Sequence, residues 1–195
     1  MQVSISDLLP FLDCPYKGVS RLRTQRWIPP SEAMSLGTAL HEYCRRLLST
    51  GRPDHTRDWL GAAVNPDDIA PLIAEADLRL APPSFEVLDV ELPLSHRLSP
   101  NHELVGRLDA VGRLSGQLYS VQWKTLGRGQ NVGNFLEKVR MSPHEITYRT
   151  LLREHTSRPC TGTLLGVFRT YLTKQQKADN VPIFELFPLE STAEE

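Results

Sequence analysis

The 195-residue chain holds few cysteines, three in all, and few aromatic residues, 7%. Cys14, Cys44 and Cys160 form an odd, scattered set with no CxxC pair, which argues against a disulfide framework and against structural zinc. No apolar run approaches the roughly 20 residues that span a bilayer. The opening MQVSISDLLPFLDC lacks the basic n-region and long apolar core of a secretory leader. Together these absences set the expectation of a cytoplasmic protein without a membrane partner. The formal net charge is −1, so the chain is no bulk polycation, and any hold on nucleic acid must come from a local patch. The GxxxxGK[ST] order of a phosphate loop is missing, as are internal repeats, heptad runs and low-complexity tracts.

What is present suits a globular chain. With 40% hydrophobic and 23% charged residues, it can bury a core of ordinary size. We read residues 1–195 as one domain, with a helical part over about 1–83 and a strand-centred core over about 84–190. The basic patch falls near the start, at Lys17, Arg21, Arg23 and Arg26, interleaved with Tyr16 and Trp27. That mixture suits a nucleic-acid contact, and equally a solvated helix face or loop.

A short helix is expected over Ser6–Leu12 with Ser6 as N-cap, and a clearer one from Ser35 to about Thr50. In the second, Leu36, Leu40, Tyr43 and Leu47 recur at helical spacing and Gly51 supplies a stop. Gly37 and His41 lie one turn apart, so a neighbouring backbone can come close to the imidazole. A half-buried histidine satisfied by a neighbour fits the same spacing. Pro66 opens a third helix through about Leu80, with Pro71 implying a kink or a later start. Phe85–Leu94 alternates like a strand, carrying Glu86 and Glu91.

Glu103–Leu126 reads as a hairpin turning at Ser115-Gly116. With that turn Val111 faces Ser120, Asp109 faces Gln122 and Arg107 faces Lys124, so 109, 122 and 124 share one face. A carboxylate, an amide oxygen and an amine on adjacent strands are the parts of a hydrolytic metal site for a hard cation. Gly127–Gly133 then reads as a flexible loop and Asn134–Arg140 as a short helix. Ser142-Pro143-His144-Glu145 spells a capping box that starts a helix through about Glu154, with His144 and Tyr148 on one face. Gly162–Tyr171 and Val181–Phe187 read as strands, the latter at a sheet edge, with Lys174–Asn180 as a polar loop between them. Helices around a central group of strands make an α/β fold with a mixed sheet.

In order along the chain, these landmarks resemble the PD-(D/E)XK nuclease superfamily, in the branch of the RecB nuclease domain and the CRISPR-adaptation nucleases. Gly37-Thr38-Ala39-Leu40-His41-Glu42 is similar to its GxxxH(E) motif, and Gly106-Arg107-Leu108-Asp109 to its aspartate motif. Gln122-Trp123-Lys124 stands at (D/E)xK, and His144-Glu145-Ile146-Thr147-Tyr148 at QxxxY. The resemblance runs from SISDLLPFLDCPYKG to the strand near GVFRTY. It implies a restriction-endonuclease-like core and a metal-dependent DNA nuclease, an exonuclease acting at ends or on single strands. It further implies Mg²⁺ or Mn²⁺ held by His41, Asp109, Gln122 and the Trp123 carbonyl, and Lys124 activating water. Tyr148 and His144 would contact DNA. The implied setting is recombination or repair in a bacterial or phage-infected cell, with a recombination or annealing protein as partner.

Position 122 carries glutamine where the family pattern has a carboxylate, which removes a negative charge from the cation. Position 144 carries histidine for glutamine and keeps a donor for phosphate. Three scattered cysteines cannot build the four-cysteine iron–sulfur cluster of many relatives. Two other readings remain open: a nuclease fold without catalysis that binds DNA or a protein, and a hydrolase of a small phosphorylated substrate.

Overall fold

Strand β3 lies at the centre of the molecule, because three other strands hydrogen-bond to it. The computed structural model describes residues 2–8, 14, 16, 19, 31–53, 60, 64–80 and 85–191. In chain order its elements are β1 (Gln2–Ser4), α1 (Glu32–Thr50), α2 (Pro66–Leu80), β2 (Glu86–Ser99), β3 (His102–Leu114) and β4 (Gln117–Leu126). They continue with α3 (Val132–Arg140), α4 (Pro143–Thr156), β5 (Gly162–Arg169), α5 (Lys174–Ala178) and β6 (Phe184–Glu190). The sheet runs β1-β3-β4-β5-β6, with β2 on the other edge of β3. Pairs β1–β3 and β4–β5 are parallel, and the rest are antiparallel. This is the α/β architecture with a mixed sheet that the sequence predicts.

Two apolar clusters sandwich the sheet. On one face Leu40, Tyr43 and Cys44 of α1 and Ile69, Leu72 and Ala76 of α2 meet Tyr119, Val121 and Trp123 of β4. On the other, Tyr148, Leu151 and Leu152 of α4 meet Leu104, Leu108 and Val111 of β3. Burying a leucine such as Leu40, wholly inaccessible here, stabilises by roughly 1.5–3 kcal/mol. The parallel β4–β5 connection needs a long crossover, supplied by α3 and α4, and all eight residues of β5 are buried.

Several expectations shift. The first helix starts at residue 5 behind a short strand, and Ser4, not Ser6, caps it by accepting the Asp7 N–H at 3.1 Å. Helix α1 starts earlier than Ser35, because the Ser31 hydroxyl accepts the Met34 N–H. Pro71 sits inside a continuous α2. Strand β2 runs on to Ser99, and residues 132 and 133 of the expected loop are already helical. Lys174–Ala178 is a short helix opened by a Thr173/Gln176 capping box, not a loop. Pro188 lies within β6, which forms the sheet edge, where a missing N–H is tolerated. Among the described residues no helix is long and apolar enough to cross a membrane.

The Ser115-Gly116 turn is as expected. Both residues have positive φ, 52° and 80°, the pattern of a type I′ turn, and Val111 pairs with Ser120. Asparagine takes this left-handed conformation more readily than serine. Ser115→Asn should therefore raise stability by about 0.5 kcal/mol, an increase of roughly 1–2 °C in thermal melting; an unchanged or lower melting temperature would contradict the turn assignment.

Candidate active site at the fork between two strands

Pairing between β3 and β4 runs from Leu114↔Gln117 to Ala110↔Val121, where the ladder ends. β1 takes up the same edge of β3 further back, at Glu103–Val105. Residues 106–109 therefore line a fork. The expected ladder pairs Asp109–Gln122 and Arg107–Lys124 do not form there. Instead the Asp109 side chain reaches across, and its Oδ2 accepts the Trp123 N–H at 2.9 Å. Arg107 pairs with Pro93 on β2, and its guanidinium binds Glu91 at 2.7 Å.

The cause is a break in alternation. Leu104 and Leu108 pack against α4, as Gly106 does, yet Ala110 belongs to the cluster under α1 and α2. The switch falls at Asp109. Across β2, Glu91 stands between the pairs Val90↔Ala110 and Leu92↔Leu108 with φ of 56°, a left-handed conformation costly for a non-glycine residue. Such local irregularities re-aim side chains beside functional sites. No feature of the sequence marks Glu91 for this role.

His41 arrives from the α1 side, its Nδ1 3.5 Å from Asp109 Oδ2. Gly37, one turn earlier, faces Thr125 of β4, where a Cβ would stand 3.4 Å from Thr125 Oγ1, an ordinary contact that an alanine could also make. Glu42 of the same motif does not join the site. Its carboxylate bonds Arg45 and Arg46, and the Arg45 hydrogen bond leads the effects that hold its pKa down at about 2. Burial pushes the Asp109 carboxyl up, but the His41 hydrogen bond and charge, the Trp123 N–H and the Lys124 ammonium outweigh it. The net displacement is downward, and the group is held ionised.

The α4 side carries the remaining candidates. Ser120 Oγ stands 3.0 Å from Thr163 Oγ1, which donates to Glu145 of α4. Gln122 and Lys124, two and four residues on, share that face. Gln122 is 3% exposed, and its Nε2 has no hydrogen-bond partner among the described residues. Tyr148 lies over Gly106, where a Cβ would come within 2.5 Å of its ring, and its hydroxyl accepts the Arg107 N–H at 3.3 Å. Burial leads the effects that raise its pKa. The His144 ring packs edge-on against Tyr148, 4.4 Å between centroids. The expected capping box is absent: Ser142 makes no side-chain cap, and Glu145, 2% exposed, turns inward to Thr163. A buried acid in a helix's first turn looks identical in sequence to a capping one.

Lys17, Arg21, Arg23 and Arg26, with Trp27, lie outside the described residues, while Tyr16 is 84% exposed. Among the described residues no three His, Cys, Asp or Glu side chains converge as a metal site. The donors that meet at the fork are one carboxylate and one imidazole, and the atom of buried Gln122 left unpartnered among the described residues is its Nε2, a hydrogen-bond donor rather than a cation ligand. Two ligands of an octahedral cation with bonds near 2.1 Å stand about 3 Å apart, close to the His41–Asp109 separation. The pair fits a divalent cation that keeps most of its waters, and it is too poor in charge for a tightly held one.

The depressed Asp109 pKa carries a pH signature. Its stabilising contribution is present in full above the unfolded value of 3.8 and is lost as pH falls through the lower folded value. Asp109→Asn should flatten the acid limb of stability just below pH 3.8, measured by urea unfolding at stepped pH. An acid limb of unchanged slope would show that the carboxylate is not so held.

No protein-family model and no curated protein sequence matches the chain. Among solved structures it is similar to a "putative exonuclease" from Eubacterium rectale, at TM-score 0.59 and 12% identity, over 99% of this chain and 73% of that one. The likeness is one of fold, and covers the mixed sheet with its flanking helices. A second structure, SSO0001, aligns over 97% of this chain and 67% of that one at TM-score 0.37 and 11% identity, too remote to bear on the fold.

Proposed function

We propose that the chain is a divalent-metal-dependent deoxyribonuclease of the PD-(D/E)XK superfamily, in its RecB-like, CRISPR-adaptation branch and without an iron–sulfur cluster. One observation carries the reading: the Asp109 carboxylate meets the His41 imidazole at the fork, beside the Lys124 charge. The fold shared with a protein named as an exonuclease supports it. The substrate is DNA, cut at ends or on single strands. The setting is bacterial or phage recombination or repair in the cytoplasm, alongside a recombination or annealing protein.

His41, Asp109, the Gln122 amide oxygen and the Trp123 carbonyl would hold Mg²⁺ or Mn²⁺. When bound, the cation supplies Lewis acidity to the phosphodiester and acidity to a water. The chain's own residues do the rest. Asp109 stays ionised because its cationic and N–H partners outweigh its burial. The Lys124 ammonium orients the attacking water. Tyr148, fixed over Gly106, and His144 present hydrogen-bonding groups to the strand. Lys17, Arg21, Arg23 and Arg26 add a sequence-independent hold on phosphates. An imidazole ligand suits Mn²⁺ better than Mg²⁺.

The second reading, a nuclease fold that binds DNA or a protein without cutting, draws on Gln122, which leaves the cation one carboxylate short. End-labelled linear and circular DNA, incubated with Mn²⁺, Mg²⁺ or chelator, decides between them. Cleavage should be stronger with Mn²⁺ and absent with chelator, and Asp109→Ala should abolish it without changing DNA affinity measured in chelator. Lys124→Ala should lower kcat roughly 10²- to 10⁴-fold, with affinity held. Full activity in Asp109→Ala would sink the site. Cleavage that appears only in Gln122→Glu would favour the second reading.

A further inference from the structure

A groove of about 750 Å³ opens beside His41, away from the α4 side of the fork. Its size is that of pockets that take nucleotide-sized ligands, about 300–1,000 Å³. Its two walls differ in chemistry. Ala33, Met34, Gly37, Thr38 and His41 of α1 make one wall, apolar at Ala33 and Met34, and Met34 is 61% exposed. The other carries Thr125 at the end of β4 and Arg128 and Gln130 from the loop that follows. Among the described lining residues there is no carboxylate, and the fixed positive charge is Arg128. The Tyr171 ring lies 5.2 Å below that guanidinium and helps to orient it.

An apolar wall facing hydroxyls and a single guanidinium matches a base and one phosphodiester. It does not match a free cation, which would want carboxylates. Nor does it match a duplex, which presents a negative charge every 1.7 Å or so and is gripped by several cations. We propose that the groove is a single-strand subsite. It holds the nucleotide next to the scissile phosphodiester, its base against Ala33 and Met34 and its phosphate at Arg128 and Thr125. The groove reaches the fork through His41, which lines it and contacts Asp109. This subsite deepens the nuclease reading and rests on it for the identity of the neighbouring phosphate.

The test separates the two. Binding of dye-labelled oligodeoxythymidine is followed by anisotropy in chelator, so no cleavage is needed, with a blunt duplex as comparison. Arg128→Ala should weaken single-strand binding about 5- to 10-fold and reduce the slope of log affinity against log salt by about 0.7. Thr38→Glu places a carboxylate in the groove from an exposed position on α1 and should weaken it about tenfold by repelling the phosphate. Both should melt like the parent and lose little duplex affinity. Unchanged single-strand binding in both variants, equal losses for duplex, or no single-strand binding by the parent would overturn the subsite. If the parent binds the single strand through Arg128 yet cuts nothing with Mn²⁺, the groove stands and catalysis falls. If it cuts DNA while both variants bind and cut as before, catalysis stands and the groove falls.

Discussion

The hydrogen bond from the Trp123 N–H to the Asp109 carboxylate is the interaction on which the rest of the site depends. It joins two strands at the point where their ladder ends, and so it sets how widely the fork opens. An ionised acceptor makes this bond stronger than an ordinary ladder contact, worth about 1.5–3 kcal/mol net. His41 then has a fixed oxygen to approach, and α1 has a fixed floor to settle on. Lys124, one residue past the bonded amide, is held within electrostatic reach of the same carboxylate.

The fork also joins two sides of a sheet that are otherwise sealed from each other by apolar clusters. From the α1 side comes His41; from the α4 side come Gln122, Lys124, His144 and Tyr148. Strict alternation along β3 would commit Asp109 to one face. Opposite the turned backbone of Glu91, where the alternation switches, the carboxylate instead takes the Trp123 N–H of the neighbouring strand and stands against His41. Arg107 bonds to Glu91 and so braces the irregularity from the exposed side.

Much of this was legible in the sequence, and the failures have a common physical origin. Period-2 alternation and Ser115-Gly116 gave the hairpin and its register as far as Ala110. Helical spacing and Gly51 gave α1 and brought His41 to the right wall. Beyond Ala110 strict alternation predicts a continued ladder, and no residue type announces where a ladder stops. Glu91 is an unremarkable strand glutamate until its φ is known. Glu145 had the spacing of a capping residue, yet tertiary packing claimed it for Thr163. Strand β1 is three residues long, too short for periodicity to register. The basic run at Lys17–Arg26 stays a sequence observation.

At the fork, backbone amides that lack a strand partner are taken by side chains: Trp123 N–H by Asp109, Arg107 N–H by the Tyr148 hydroxyl. In the proposed nuclease the same atoms would serve both as sheet adhesive and as chemical equipment. If the proposed hydrolysis were lost in a lineage of such chains, the aspartate and the tyrosine could not be discarded freely, since each loss would strand a peptide group in the interior. Persistence of those two side chains across descendants would therefore record the demands of folding, whereas the lysine and the residue at position 122 would be free to report whether the proposed chemistry had lapsed.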